Sequence, residues 1–327
     1  MVDRIPSGTR DVLPDEMREL RAMTDRIRAV FERFGYGEVY TPALEYESAL
    51  GGAWTGLTAP AYRVFDEQGN VLVLRTDMTI PIARLVSTRY PQVDPPLRFC
   101  YFAHAYRGVR PQRGQSRELL QAGVELVGSP APEGTAEALN VMCAALDAAG
   151  LENYRVGVGD ASLYPGLLET MGVAAEARER ILQALVDGDF VGVEREVRTT
   201  GVSDAEAELL LRVPTLRGGP DVLANLSGAL EEAATGMRAT HALLEPRVAA
   251  RVIFDLGLVR SLGYYTGAVF QVYDPAHGVP IGSGGRYDEL LGQFGRPLPA
   301  VGFALNIERL HIALTGEERV RVPRGRR

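Results

Sequence analysis

Helix-type and strand-type periodicities follow one another irregularly along this chain and never settle into a regular β–α repeat, which points to an α+β fold rather than a doubly wound parallel sheet. Met17, Leu20, Met23, Ile27, Val30, Phe31 and Phe34 recur at spacings of three and four, the stripe of an amphipathic helix over 14–34 that Gly35 stops. A strand over 38–41 ends at Pro42, and the runs 62–66 and 71–74 flank turn-forming residues as a β-hairpin. A helix over 78–90 follows, then strands over 98–107 and 118–127 joined by a charged loop, a helix over 135–149 and a strand over 154–158. Between 164 and 249 helix signals stand almost alone, notably over 175–184, 204–211 and 222–234. Strand signals return at 252–255, 268–273 and 300–304, and a last helix covers 307–314. The expected plan is a core of 1–163 and 250–314, a helical insertion of 164–249, and a solvated basic tail of 315–327 with Arg319, Arg321, Arg324, Arg326 and Arg327.

Several function classes drop out on composition. With 35 basic and 42 acidic residues in 327, the net charge of -7 gives no general attraction to nucleic-acid phosphate. Cys100 and Cys143 without a CxxC, and the scattered His104, His241, His277 and His311, make neither a disulfide framework nor a zinc site. A reducing cytoplasmic setting is expected, without a signal segment, a membrane span or a metal.

Three polar constellations stand out. Arg75-Thr76-Asp77-Met78-Thr79 places a carboxylate and two hydroxyls where a strand hands over to a helix, suited either to hold an ammonium or simply to cap the helix. Arg107, Arg110, Arg113 and Arg117 fall on the loop between two apolar strands, as carboxylate or phosphate forks or as a solvated charged loop. Just beyond, Gln121 and Glu125 share strand parity with Gly123, so both project from one face while Val124 and Leu126 point to the other; polar groups inside a sheet require partners. The third constellation is the Gly- and Tyr-rich pair of segments 255–267 and 282–288, with Arg260, Tyr264 and Tyr265, which fits neither GxGxxG nor a Walker loop.

Taken in order, these segments resemble the catalytic core of class II aminoacyl-tRNA synthetases, and specifically histidyl-tRNA synthetase. The first helix and the strand ending at Pro42 look like motif 1, the dimer-forming element; Arg107 and its loop look like motif 2; residues 301–309 look like motif 3. Residues 259–267 and Gly284-Gly285-Arg286-Tyr287-Asp288 resemble signatures of the histidine enzyme. The resemblance implies an antiparallel sheet flanked by helices, and a histidine pocket lined by Asp77, Thr79, Arg107, Gln121, Glu125, Arg260, Tyr264 and Tyr265. Asp77 and Thr79 would take the ammonium, Arg260 and Gln121 the carboxylate, and Glu125 and Tyr265 the imidazole.

The nucleotide side departs from that pattern. The motif 2 glutamate that reads adenine is Val109 here, the adenine-stacking phenylalanine is Leu119, and a motif 3 glycine is Asn306, whereas Arg107 and the phosphate-gripping Arg309 remain. Lost stacking and lost edge recognition are each worth about 1–3 kcal/mol. The 18 residues after Arg309 are also too few for the anticodon-binding domain, so no tRNA partner is expected. A histidine pocket without this chemistry resembles the synthetase-like regulatory subunits of ATP phosphoribosyltransferase. That family implies no independent catalysis, no cofactor, a short-form catalytic subunit as partner, a motif 1 homodimer within a hetero-oligomer, and L-histidine as effector of the first step of histidine biosynthesis. The alternatives are a truncated histidyl-tRNA synthetase core that still activates histidine with ATP, and a synthetase-like module for another small ligand.

Overall fold

In the computed structural model of the chain, the described residues are 5–50, 61–108, 116–224, 226, 228–258 and 263–321. Helix α1 (Pro14–Arg33) has proline in its first turn, Asp15 and Glu16 beside it, and Arg33 in its last, an order that complements the helix dipole. Leu20, Met23, Ile27, Val30 and Phe31 are buried, and Gly35 turns the chain at φ +81. Strand β1 (Gly37–Glu38) is shorter than the expected 38–41. After Val39 donates to the Cys100 carbonyl the chain turns away, and the carbonyls of Thr41 and Pro42 accept from the buried Arg75 guanidinium instead of a strand.

β2 (Leu44–Tyr46), α2 (Glu47–Leu50), β3 (Arg63–Phe65) and β4 (Val71–Leu74) follow, and the strands form a small antiparallel sheet in the order β2-β4-β3. The expected hairpin is β3–β4, its turn fixed by Asp66, whose Oδ1 accepts from the Gln68 and Asn70 amides. Next come α3 (Thr79–Arg89), β5 (Leu97–Tyr106), β6 (Glu118–Val127), α4 (Glu133–Ala149) and β7 (Arg155–Asp160).

The stretch with helix signals holds α5 (Leu163–Thr170), α6 (Ala175–Asp187), α7 (Phe190–Arg198), α8 (Asp204–Arg212), β8 (Arg217–Gly218), α9 (Asp221–Ala224), α10 (Glu231–Ala242) and α11 (Pro246–Ala249). A capping box of Ser203 and Glu206 starts α8. The helix expected over 222–234 is two helices, because the chain passes through Gly228 at φ +63 between α9 and α10. The chain closes with β9 (Val252–Asp255), β10 (Ala268–Tyr273), β11 (Gly282–Arg286), β12 (Ala300–Asn306) and α12 (Ile307–Arg321).

Nine strands make one sheet in the order β1-β5-β6-β12-β11-β10-β7-β9-β8. It is antiparallel except for the β1/β5 and β7/β9 pairs, so the expected antiparallel sheet is a mixed one with parallel pairs toward its two ends. On one face Cys100, Val124, Leu126, Phe270 and Phe303 join α1, α4 and the helices of 163–249 in a single apolar cluster. On the other, Phe99, Tyr101 and Ala103 pack with α3, Tyr264 and Tyr287.

The last helix runs seven residues beyond the expected end at Leu314. Glu317 is buried, and its carboxylate accepts the backbone amides of Glu152 and Asn153, which ties the end of α12 to the turn between α4 and β7. Residues 315–321 are therefore helix and not a frayed tail; the rest of the basic end lies outside the described residues. Among the described residues no helix is long and apolar enough to cross a membrane, and no group of His, Cys, Asp and Glu could hold a metal ion.

Candidate functional site

The alternation of β6 puts Gln121, Gly123 and Glu125 on the face opposite Val124 and Leu126, as its parity predicts. Its neighbours give these groups space. Tyr101 pairs with Gly123 on β5, and a Cβ at Gly123 would collide with the Tyr101 hydroxyl; Gly302 pairs with Glu125 on β12, and a Cβ there would occupy the position of Glu125 Oε2. Across the next strand, a Cβ at Gly285 would stand 2.7 Å from the Tyr265 ring. Glycines on three adjacent strands thus form the floor on which a carboxyl and two phenols lie.

Around this floor Asp77, Thr79, Arg107, Gln121, Tyr264 and Tyr265 converge with Tyr101, Ser283 and Tyr287 on one cleft of about 40 Å³. Glu125 lies behind this lining, bonded to two of its residues. Thr79 Oγ1 donates to Glu125 Oε1 at 2.7 Å, and the Tyr287 hydroxyl hydrogen-bonds Oε2. Tyr264 lies 5.0 Å from Tyr265 and meets Tyr287 edge-on at 5.8 Å, centroid to centroid, so the three rings brace one another. Burial pushes the phenols of Tyr101, Tyr264 and Tyr287 well above their ordinary range, which keeps them protonated.

Asp77 serves the start of a helix and also lines the cleft. Its Oδ1 accepts the Ile80 amide at 3.0 Å, serving the start of α3, while the carboxyl lines the cleft, and burial raises its pKa. Arg75 belongs to the fold instead: its Nε donates to the His104 carbonyl and its Nη1 to Thr41. Gln121 Oε1 is buried with no hydrogen-bond partner among the described residues. Gln121 Oε1 and the Asp77 carboxyl offer acceptors to the cleft beside the Glu125 carboxyl, and so suit a ligand that carries several N–H donors.

Leu119, Asn306 and Arg309 do not line this cleft. Leu119 is buried on the same face of β6 as Gln121, one step toward the loop. Asn306 Oδ1 accepts the Arg309 amide at 2.9 Å and so serves the first turn of α12, while Arg309 Nη1 donates to the Pro280 carbonyl at 2.8 Å. Val109 and Arg260 lie outside the described residues. Tyr101 and Tyr287 are site residues absent from the sequence-based set. Strand pairing could have found the first, since Tyr101 shares a face with Glu125, and Tyr287 stands in a Gly-rich segment already singled out.

Glu125 is the group with a consequence for pH. Burial pushes its carboxyl up from 4.5 to about 8; the bonds from Tyr287 and Thr79 lower it and the nearby Asp77 raises it further. The folded state therefore holds a proton that the unfolded chain releases near 4.5, and the stability this confers is full below 4.5 and lost as pH rises through about 8. Urea unfolding at a series of pH values is expected to show wild type losing on the order of a few kcal/mol across that window relative to Glu125→Gln. Parallel profiles for the two proteins would contradict the assignment.

Residues 8–310 match the sequence model of the histidyl-tRNA synthetase family. An ATP phosphoribosyltransferase regulatory subunit of Symbiobacterium thermophilum is 42% identical over 95% of this chain and 79% of its own length. The crystal structure of an ATP phosphoribosyltransferase regulatory subunit/histidyl-tRNA synthetase from Bacillus halodurans aligns with a TM-score of 0.86 at 34% identity, covering 96% of this chain and 84% of that one. A histidine–tRNA ligase subunit from Alicyclobacillus acidocaldarius aligns with a TM-score of 0.76 at 31% identity over 98% of both chains. The synthetase-like sheet and these similarities over nearly the whole length agree: the chain belongs to the ATP phosphoribosyltransferase regulatory subunits, within the histidyl-tRNA synthetase family.

Proposed function

We propose that this chain is a non-catalytic, histidine-sensing subunit of an ATP phosphoribosyltransferase, acting at the first step of histidine biosynthesis with a separate short-form catalytic subunit. The observation that carries the histidine reading is the set of buried acceptors in the cleft: the Glu125 carboxyl held by Thr79 and Tyr287, with Gln121 Oε1 unpartnered beside it among the described residues. Histidine supplies N–H donors from both its ammonium and its imidazole, and Arg107 on the rim suits its carboxylate. At about 40 Å³ the cleft is far below the ~300 Å³ at which ligand pockets begin, so entry of histidine requires the tyrosine rings to part. Such a rearrangement would let occupancy change the protein, since an effector shifts activity only by binding one state of the assembly better than another.

The same cleft in a synthetase would face an ATP site. Leu119 and Asn306 in place of stacking and open groups argue that histidine is bound here without being activated. Calorimetry on the purified chain is expected to show histidine binding that Glu125→Gln weakens by roughly 10- to 100-fold, the cost of leaving a buried hydrogen-bonding group without its partner. Histidine-dependent ATP–pyrophosphate exchange is expected to be absent. Clear exchange would establish the synthetase alternative, and unchanged affinity in Glu125→Gln would remove the cleft from the reading.

We further propose a homodimer within the larger assembly, formed through the small sheet and the segment leading into it. Leu44, Tyr46 and Val64 are all exposed, and their pairing with Leu74 and Leu72 of β4 sets them on one face of the small sheet, while Tyr40, 82% exposed, lies in the segment leading into it. Apolar exposure on this scale marks an interaction surface. Sedimentation is expected to give a dimer for wild type and a monomer for Tyr46→Asp; a dimer in both would place the contact elsewhere.

A further inference from the structure

On the opposite face of the sheet from Glu125, a cavity of about 390 Å³ lies between strand residues of β7, β10 and β11 and helices α4, α5 and α10. Unlike the front cleft, it already has the size of a ligand pocket. Arg286, only 3% exposed, lines it. Its Nε donates to Asp288 Oδ2 at 2.9 Å and its Nη2 to the Ser129 carbonyl at 2.8 Å, but its Nη1 is buried without a partner among the described residues. Thr135 Oγ1, on the α4 wall, is also buried without a partner among them. A buried donor with no acceptor is costly, and the adjoining cavity is where an acceptor can be supplied.

Elsewhere in the lining the charge is negative. Asp160 Oδ1 takes both donors of Ser162, at 2.9 Å from the amide and 2.5 Å from the hydroxyl, and Glu232 of α10 is close enough to raise the Asp160 carboxyl further above what burial alone does. Because Asp288 already balances Arg286, the lining as a whole favours a ligand with a cationic group over a phosphate.

Two glycines keep the space open. Gly166 in α5 and Gly236 in α10 both line the cavity, and a Cβ at either would meet nothing within 4 Å. Neither adopts a left-handed φ, so neither the backbone nor the packing requires glycine at these helix-interior positions, where it is the poorest choice after proline.

We propose that this cavity is a second binding site, for a free amino acid whose carboxylate meets Arg286 Nη1 and whose ammonium lies by Asp160 and Glu232. The inference is independent of the histidine reading of the front cleft. Arg286 itself is too deeply bonded into the fold to be a clean probe. Gly236→Leu fills the cavity with a good helix former, and Glu232→Gln removes an exposed charge. Equilibrium dialysis of the full chain against each of the twenty common L-amino acids, inorganic phosphate and AMP, all in the Glu125→Gln background that weakens the front cleft, assigns to the rear site the binding that the rear-cavity substitutions remove. At least one amino acid is expected to bind, with a loss of tenfold or more on adding either Gly236→Leu or Glu232→Gln. The proposal is overturned if no amino acid binds, if binding survives Gly236→Leu unchanged, or if phosphate or AMP is the probe that Gly236→Leu displaces.

Discussion

The Glu125 carboxyl is shut away from water on a central strand, and a group of this kind is tolerable only if it keeps a proton or is met by donors. Both conditions shape the molecule. Thr79 must begin α3 at the height that brings its hydroxyl to Oε1, Tyr287 must leave β11 in the direction of Oε2, and β12 must present Gly302 where any side chain would strike the carboxyl. Three segments far apart in sequence are thereby fixed to one point, and the acceptors around them face a shared cleft. The proposed recognition of a donor-rich ligand rests on this arrangement of the sheet.

Much of this was legible in the chain. The three- and four-residue spacing of α1 is kept in the fold, and β6 spans the residues that its apolar alternation marks, with Gln121 and Glu125 on one face. Asp77, Thr79, Arg107, Tyr264 and Tyr265 do meet. What was hidden is physical in origin. β11 reads Gly-Ser-Gly-Gly-Arg and has no apolar period, because its glycines leave room for the Phe270 and Tyr265 rings; it is a central strand whose side-chain volume is supplied by neighbours. The continuation of α12 depends on Glu317 reaching amides 165 and 164 residues away, which no local pattern records. The division between α9 and α10 rests on the backbone at one glycine, Gly228, within an otherwise helical composition.

The two faces of the sheet carry different kinds of space. The front is a nearly closed cleft of tyrosines and carboxyls, while the back holds an open cavity whose walls belong partly to the helices of 163–249. β11 joins them, since Gly285 underlies Tyr265 in front while Arg286 turns to the rear.

The state of the Glu125 carboxyl can be read directly by ¹³C NMR of the chain labelled at glutamate side-chain carboxyls and titrated with pH. One resonance is predicted to titrate near 8, to be missing in Glu125→Gln, and to move when histidine is added. Glutamates that all titrate in the ordinary carboxylate range, with none responding to histidine, would contradict the account at its centre.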